Sequence, residues 1–94
     1  MRLTGTAWLQ DIVEKLASKH GVSTEEVEEI LSSTPRFRRI AKGNVKGEDL
    51  YAAMGQTSAG RYLVVFFVRK STGEALVISA REMDPSERKS YAKK

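Results

Sequence analysis

Residues 61–70, RYLVVFFVRK, decide the fold. Between Tyr62 and Val68 both alternating sets of side chains are apolar, and Val and Phe dominate. A strand with one wet face alternates apolar and polar residues, so this pattern predicts a central strand covered on both sides. At seven residues the run is far short of the ~20 that span a bilayer. It predicts a strand and no membrane anchor.

Turn-rich stretches flank it closely: TSAG at 57–60, STG at 71–73 and, further upstream, GNVKG at 43–47. They delimit strands at about 36–41, 49–56 and 75–81, and such short links imply antiparallel neighbours. Pro35 disfavours helix at Thr34 and separates this β-rich part from a helical one.

From Ala7 to Lys19 the apolar residues Trp8, Leu9, Ile12, Val13, Leu16 and Ala17 recur at spacings of three and four, which predicts a helix with Thr6 as N-cap and Gly21 past its end. A second helix starts at Ser23, where Glu26 completes a capping box. Glu25, Glu26, Glu28 and Glu29 crowd its first turns, which suits the positive end of the helix dipole. A closing helix begins with Asp84, Pro85 and Glu87: a cap, a proline at the first helical position and a second capping box. The expected fold is α+β, a small antiparallel sheet of about four strands with two N-terminal helices and one C-terminal helix.

At 94 residues the chain is expected to be a single domain spanning residues 1–94. Without cysteine it can form no disulfide and no thiolate metal site, and with one histidine a transition-metal site is improbable. No metal and no cofactor are expected. The N-terminus shows no basic stretch followed by an apolar one, so no secretory signal is expected and the cytoplasm is the expected location.

Charge is divided along the chain. Residues 1–34 hold three Lys/Arg against six acids (−3), and residues 35–94 hold thirteen against six (+7). A basic half draws a polyanion, although solvated cations kept for solubility would look the same. Arg36, Arg38, Arg39, Lys42 and Lys46 run from the first strand into its loop with no acid between them, and are candidates to bind RNA or to guard an edge strand.

The last strand ends in Ser79, Ala80, Arg81 and Glu82 instead of a simple turn, which suggests a working surface. Arg61 opens the central strand. Whether Arg61 and Arg81 share a face depends on the turn at 71–73, since an odd loop aligns them and an even one does not. Guanidiniums present a planar fork to phosphate oxygens. RNA cleavage by its own 2′-hydroxyl needs no metal, only phosphate stabilisation and two proton transfers, for which His20, Lys19, Glu82 or a tyrosine are candidates. His20 also suits a plain capping role at a helix end, and Arg81 with Glu82 suits a local ion pair. There is no GxSxG elbow and no phosphate-binding glycine loop.

The segments KHGVSTEEVEEIL, GQTSAGRYLVVFFV and ALVISAREMDPSERKSYAKK together resemble the BrnT family of bacterial toxins, over roughly Leu16 to Lys93. The resemblance implies a RelE-like fold and a ribonuclease that arrests growth. It also implies a cognate antitoxin of BrnA or ribbon-helix-helix type, which neutralises the toxin and binds operator DNA. By motif it nominates Lys19 and His20 in KHGVS, Arg61 in GRYLVV and Arg81 in SAR as catalytic candidates. Family members open with a short strand carrying a Trp-Asp pair, whereas MRLTGTAWLQD here places Trp8 within the first helix and predicts an incomplete first strand.

The expected function is therefore a metal-independent RNA endonuclease toxin. The alternative is a noncatalytic RNA- or protein-binding module acting as corepressor with a DNA-binding antitoxin.

Overall fold

The computed structural model describes residues 1–44 and 47–93, so Val45 and Lys46 of the GNVKG link lie outside the described residues. The chain runs β1 (Gly5–Ala7), α1 (Gln10–Lys15), a π-helical turn (Leu16–His20), α2 (Thr24–Ser32), β2 (Arg36–Ala41), β3 (Leu50–Gln56), β4 (Tyr62–Arg69), β5 (Glu74–Glu82) and α3 (Pro85–Ala92). The strands form one sheet in the order β1-β5-β4-β3-β2, with β4 at its centre. Strands β2 to β5 are antiparallel neighbours, as the short turns require. The fold is α+β, as expected.

The strand count is five instead of four, and the sheet is mixed. Gly5–Ala7 pairs in parallel with Glu74–Leu76, and the Thr4 amide donates to the Gly73 carbonyl at 3.0 Å. This pairing takes residues that apolar spacing had assigned to a helix: Thr6 sits in a strand, Leu9 is the extended N-cap, and α1 begins at Gln10. Trp8 precedes the helix and is not part of it. It still packs against the core beside Ile12, which is why the helical spacing was misleading there. Its indole Nε1 donates to Glu28 Oε2 at 2.9 Å. Sheet hydrogen bonds supplied by a distant segment outweigh the local helical preference of three residues.

One sheet face carries α1, the π turn and α2. The main core lies there: Leu16, Val27 and Ile30 from the helices meet Leu63, Val65, Phe67 and Val77 from the strands, all buried. Full burial stabilises each such side chain by about 1.5–3 kcal/mol. Tyr51 stacks on Phe67 and Phe37 meets its ring edge-on. Gly55 lets α2 approach, since a β-carbon there would come within 3.2 Å of Ile30 Cδ1. Among the described residues the other face carries only α3, over Ala52, Val64 and Met83, with the Tyr91 ring edge-on to Tyr62. Among the described residues no helix is long and apolar enough to cross a membrane.

Candidate active site

The helical layer ends in a widened turn. The Gly21 amide donates to Leu16 O, five residues back, and Gly21 itself is left-handed at φ 61°. Widened turns of this kind occur often at functional sites. This one leaves Lys19 and His20 exposed at its end. Ser23 then caps α2, with its hydroxyl accepting from the Glu26 amide while Glu26 Oε1 accepts from the Ser23 amide.

Arg61 closes this corner. It follows the TSAG turn, in which the buried Thr57 accepts the Arg61 amide on its hydroxyl at 3.0 Å and donates its own amide to the Arg61 carbonyl at 2.9 Å. The guanidinium reaches across: Nη1 donates to Gly21 O at 2.9 Å and to Glu26 at 2.8 Å, and Nη2 donates to Glu82 Oε2 at 3.0 Å. The structure thus brings together Arg61, the Lys19–Gly21 turn and Glu82. Hydrogen bonds to Glu26, then Glu82, raise the Arg61 pKa further, so it is always cationic. Glu26 is held below the usual carboxylate range, first by the Ser23 amide and then by Arg61. Beside this corner Gly60, Arg61, Tyr62, Glu82, Met83 and Arg88 line an open hollow of about 240 Å³. Arg88 lies over the Tyr62 ring, 4.2 Å from its centroid. Among the described residues Arg88 has no carboxylate partner, and it brings a second cation to the hollow.

A larger concavity, about 570 Å³, lies elsewhere, between residues 3–6 and α2. Glu25, Glu28 and Glu29 line it and would repel a phosphate, so size is a poor guide here. Three of the four α2 glutamates also hold residues outside their own first turn or the cap of their helix, while among the described residues Glu25 accepts only from its neighbour Thr24. Glu26 holds Ser23 and Arg61, Glu28 holds Trp8, and Glu29 accepts the Ser58 amide at 2.6 Å.

Arg81 does not converge with Arg61. The hairpin turn alone would have aligned them, because Arg69 faces Ala75 and Val68 faces Leu76 around a three-residue loop. A register shift between Phe66 and Phe67 then leaves Ile78 unmatched, so Phe66 faces Ser79 and Val64 faces Arg81. This single-residue bulge reverses every later side chain. It places Ala80, fully buried, in the main core and turns Arg81 to the α3 face. A straight register would have driven the guanidinium into the helical core instead. On the α3 face Arg81 makes a two-pronged bond to Glu87, 2.7 and 2.9 Å, and lies 5.4 Å from the Phe66 ring centre. That bond lowers the Glu87 pKa and raises that of Arg81.

The basic strand is also divided. Arg36 and Arg38 share the α3 face as alternation requires, and Arg36 Nη1 donates to Ser90 O at 2.7 Å. Arg39 stands on the other face, 3.5 Å from Asp49. Lys42 is exposed beyond the strand, at the end of the sheet away from Arg61. Arg36 lies at the Arg61 end, since it faces Met54, which faces Val64.

Sequence reasoning passed over three residues at this corner. Glu26 reads only as a residue of the acidic, capped helix start and Thr57 only as part of a turn, while Arg88 is not singled out at all. Nothing local marks Glu26 or Arg88, because their partners are 35 and 26 positions away and meet them only through the fold, whereas the Thr57 bond to Arg61 is made within the turn itself.

A family model described as "Ribonuclease toxin, BrnT, of type II toxin-antitoxin system" matches residues 8–87. No curated protein matches the sequence. Among solved structures, the crystal structure of the Brucella abortus ribonuclease toxin BrnT is similar in fold. It has a TM-score of 0.61 and 20% identity, over 85% of this chain and 96% of that one. With most of its length matched, the chain belongs to the BrnT family of ribonuclease toxins of type II toxin–antitoxin systems.

Proposed function

We propose that the chain acts as one toxin domain in the cytoplasm, a metal-independent endoribonuclease whose site is the corner around Arg61, Lys19 and His20. The observation that carries this is the 2.9 Å bond from Arg61 Nη1 to Gly21 O, which joins the central strand to the turn bearing both other candidates. Arg61 would hold a non-bridging phosphate oxygen. Glu82, exposed over 66% of its side chain, is the partner that can move aside to free Nη2 for that purpose. The 2′-hydroxyl would lose its proton to Glu82 or His20 and attack phosphorus, and the 5′-oxygen would leave with a proton from Lys19 or His20. Arg36 and Arg38, with Arg39 and Lys42 further along the outer strand, would guide the RNA backbone. Arg81 would act on α3 through Glu87, a positioning role instead of phosphate contact.

Incubation of purified protein with labelled RNA in excess chelator tests this. Products ending in 2′,3′-cyclic phosphate are expected, and chelator-sensitive cleavage would overturn the mechanism. Arg61 and Arg81 are both neutralised by carboxylates, and this favours a second reading, a noncatalytic module that retains RNA or a partner and acts as corepressor. A stable RNA complex with no product would select it.

A further inference from the structure

Among the described residues, the sheet face that carries α3 is only half covered. α3 sits at the Tyr62 end, where Tyr91 meets Tyr62 and Arg36 bonds Ser90. Toward the other end the floor of this face is apolar. Leu50, Val68 and Leu76 face one another across three strands, half-buried, beside Phe66. Two residues rise from it. Ile40 is 47% exposed and lines the groove between β2 and α3, and Ile78 is 37% exposed. Ile78 is the extra residue of the bulge, between the core-facing Val77 and Ser79 opposite Phe66, and its exposure sets it apart from the helix-covered face, where Val77 and Ala80 are fully buried. Both are unmatched residues at strand irregularities.

The sheet at this end is wide enough to seat a helix. This end is also where β1 pairs, so the sheet has all five strands there. Five strands span about 19–24 Å, and a helix is about 10 Å across. The opposite face seats two helices, whereas this one seats the eight-residue α3.

We propose that this half-face is the docking site of the cognate antitoxin, which fills it with an amphipathic helix carrying apolar anchors over Ile40 and Ile78 and carboxylates toward the Arg38 rim. It rests on membership of a type II system for the existence of the partner, and on charge and shape for its place. Arg38 and the exposed Lys42 ask for acids opposite them. A second copy would bring the same cations together. RNA is a poor fit, because single strands bind through aromatic platforms and both exposed residues here are aliphatic. Occupation would also cover cations of the outer strand assigned above to guiding RNA.

The test is affinity between the full chain and the antitoxin encoded beside it, by calorimetry. The double variant Ile40→Glu/Ile78→Glu is expected to bind at least 100-fold more weakly. Leu9→Glu, equally exposed but beside α1 on the other side of the sheet, should bind as wild type does. Unchanged affinity of the folded double variant overturns the proposal. If that variant fails to fold, Arg38→Glu decides, with at least tenfold weakening expected and wild-type affinity overturning it. Two further outcomes overturn it: loss of RNA retention with antitoxin affinity intact, or conversion of a wild-type dimer to a monomer with antitoxin affinity intact. RNA cleavage by the free wild-type protein is scored separately, so failure of the nuclease and failure of the docking site are distinguishable.

Discussion

Replacing Arg61 by Ala removes one guanidinium that ties together the Gly21 turn, the start of α2 and the exit of β5. The Arg61 side chain is 29% exposed and that of Glu26 23%. Their bond therefore falls between the ~0.2–1 kcal/mol of a surface pair and the ~1.5–3 kcal/mol of a shielded charged hydrogen bond. About 1 kcal/mol for Glu26 and about 0.5–1 kcal/mol for the Gly21 carbonyl is a fair discount for solvent. Glu82 is too exposed to add much. The total, about 1.5–2 kcal/mol, corresponds to a fall in Tm of about 8–12 °C for a domain of this size. Arg61→Lys keeps the charge and loses the fork, so about half that fall is expected. Thermal melts at neutral pH check the stability. RNA cleavage is then measured at a temperature where all three proteins are folded, with a loss of at least ~100-fold expected in both variants. An Arg61→Ala protein that melts within about 2 °C of wild type would refute the bridging energetics, because only surface-pair behaviour gives so small a change. Wild-type cleavage by that folded protein would remove Arg61 from the phosphate site.

Acid should weaken the fold at a definable point. Glu26 and Glu87 have folded pKa values below the ordinary 4.5, through Ser23 and Arg81 respectively, so their contribution is complete above that value and is lost as pH falls through the lower folded values. Denaturant titrations should show flat stability down to about pH 5 and a decline below it, and stability unchanged to about pH 3 would contradict this. Arg81→Ala should leave Glu87 unpaired and loosen α3, with amides of residues 86–92 exchanging about tenfold faster while those of β4 do not change, as expected for local opening; unchanged exchange would show that the pair does not secure the helix. Gly55→Val should destabilise by about 1–3 kcal/mol through overpacking against Ile30, and a neutral effect in chemical denaturation would show that α2 can move away. Deleting Ile78 should leave the fold intact, since Ser79 then follows Val77 directly and keeps its place opposite Phe66, with Arg81 still opposite Val64; loss of cooperative unfolding would mean that the bulge itself is needed.

Much of the architecture was legible because its signals are local. Ser23 with Glu26 and Asp84 with Glu87 mark helix starts within four residues, and both capping boxes form. The doubly apolar β4 does lie at the sheet centre, and β2 has the bounds that its turns set. The failures are non-local. β1 exists because residues near position 75 supply its partner, and no pattern within GTA announces that. The opposed placement of Arg61 and Arg81 turns on one unmatched isoleucine, chosen by the need of Ala80 over Arg81 for a buried slot. The sequence did contain a clue, because in VISARE strict alternation from Val77 puts Ser79 and Arg81 inward, an arrangement that a core rejects. Of the candidate site, Arg61, Lys19 and His20 were legible as motif residues, while the carboxylates that hold Arg61 were visible only once the sheet was assembled.

The parallel pairing of Gly5–Ala7 with Glu74–Leu76 has a consequence for biosynthesis. On the ribosome β1 must wait for a partner 69 residues further on, a delay of about 3–14 s at ordinary elongation rates. Arg61 and its holder Glu82 are likewise late arrivals, so the nascent chain lacks the finished Arg61 corner for most of its synthesis. On the function proposed above, chain topology alone would give the cell a grace period before any cleavage begins.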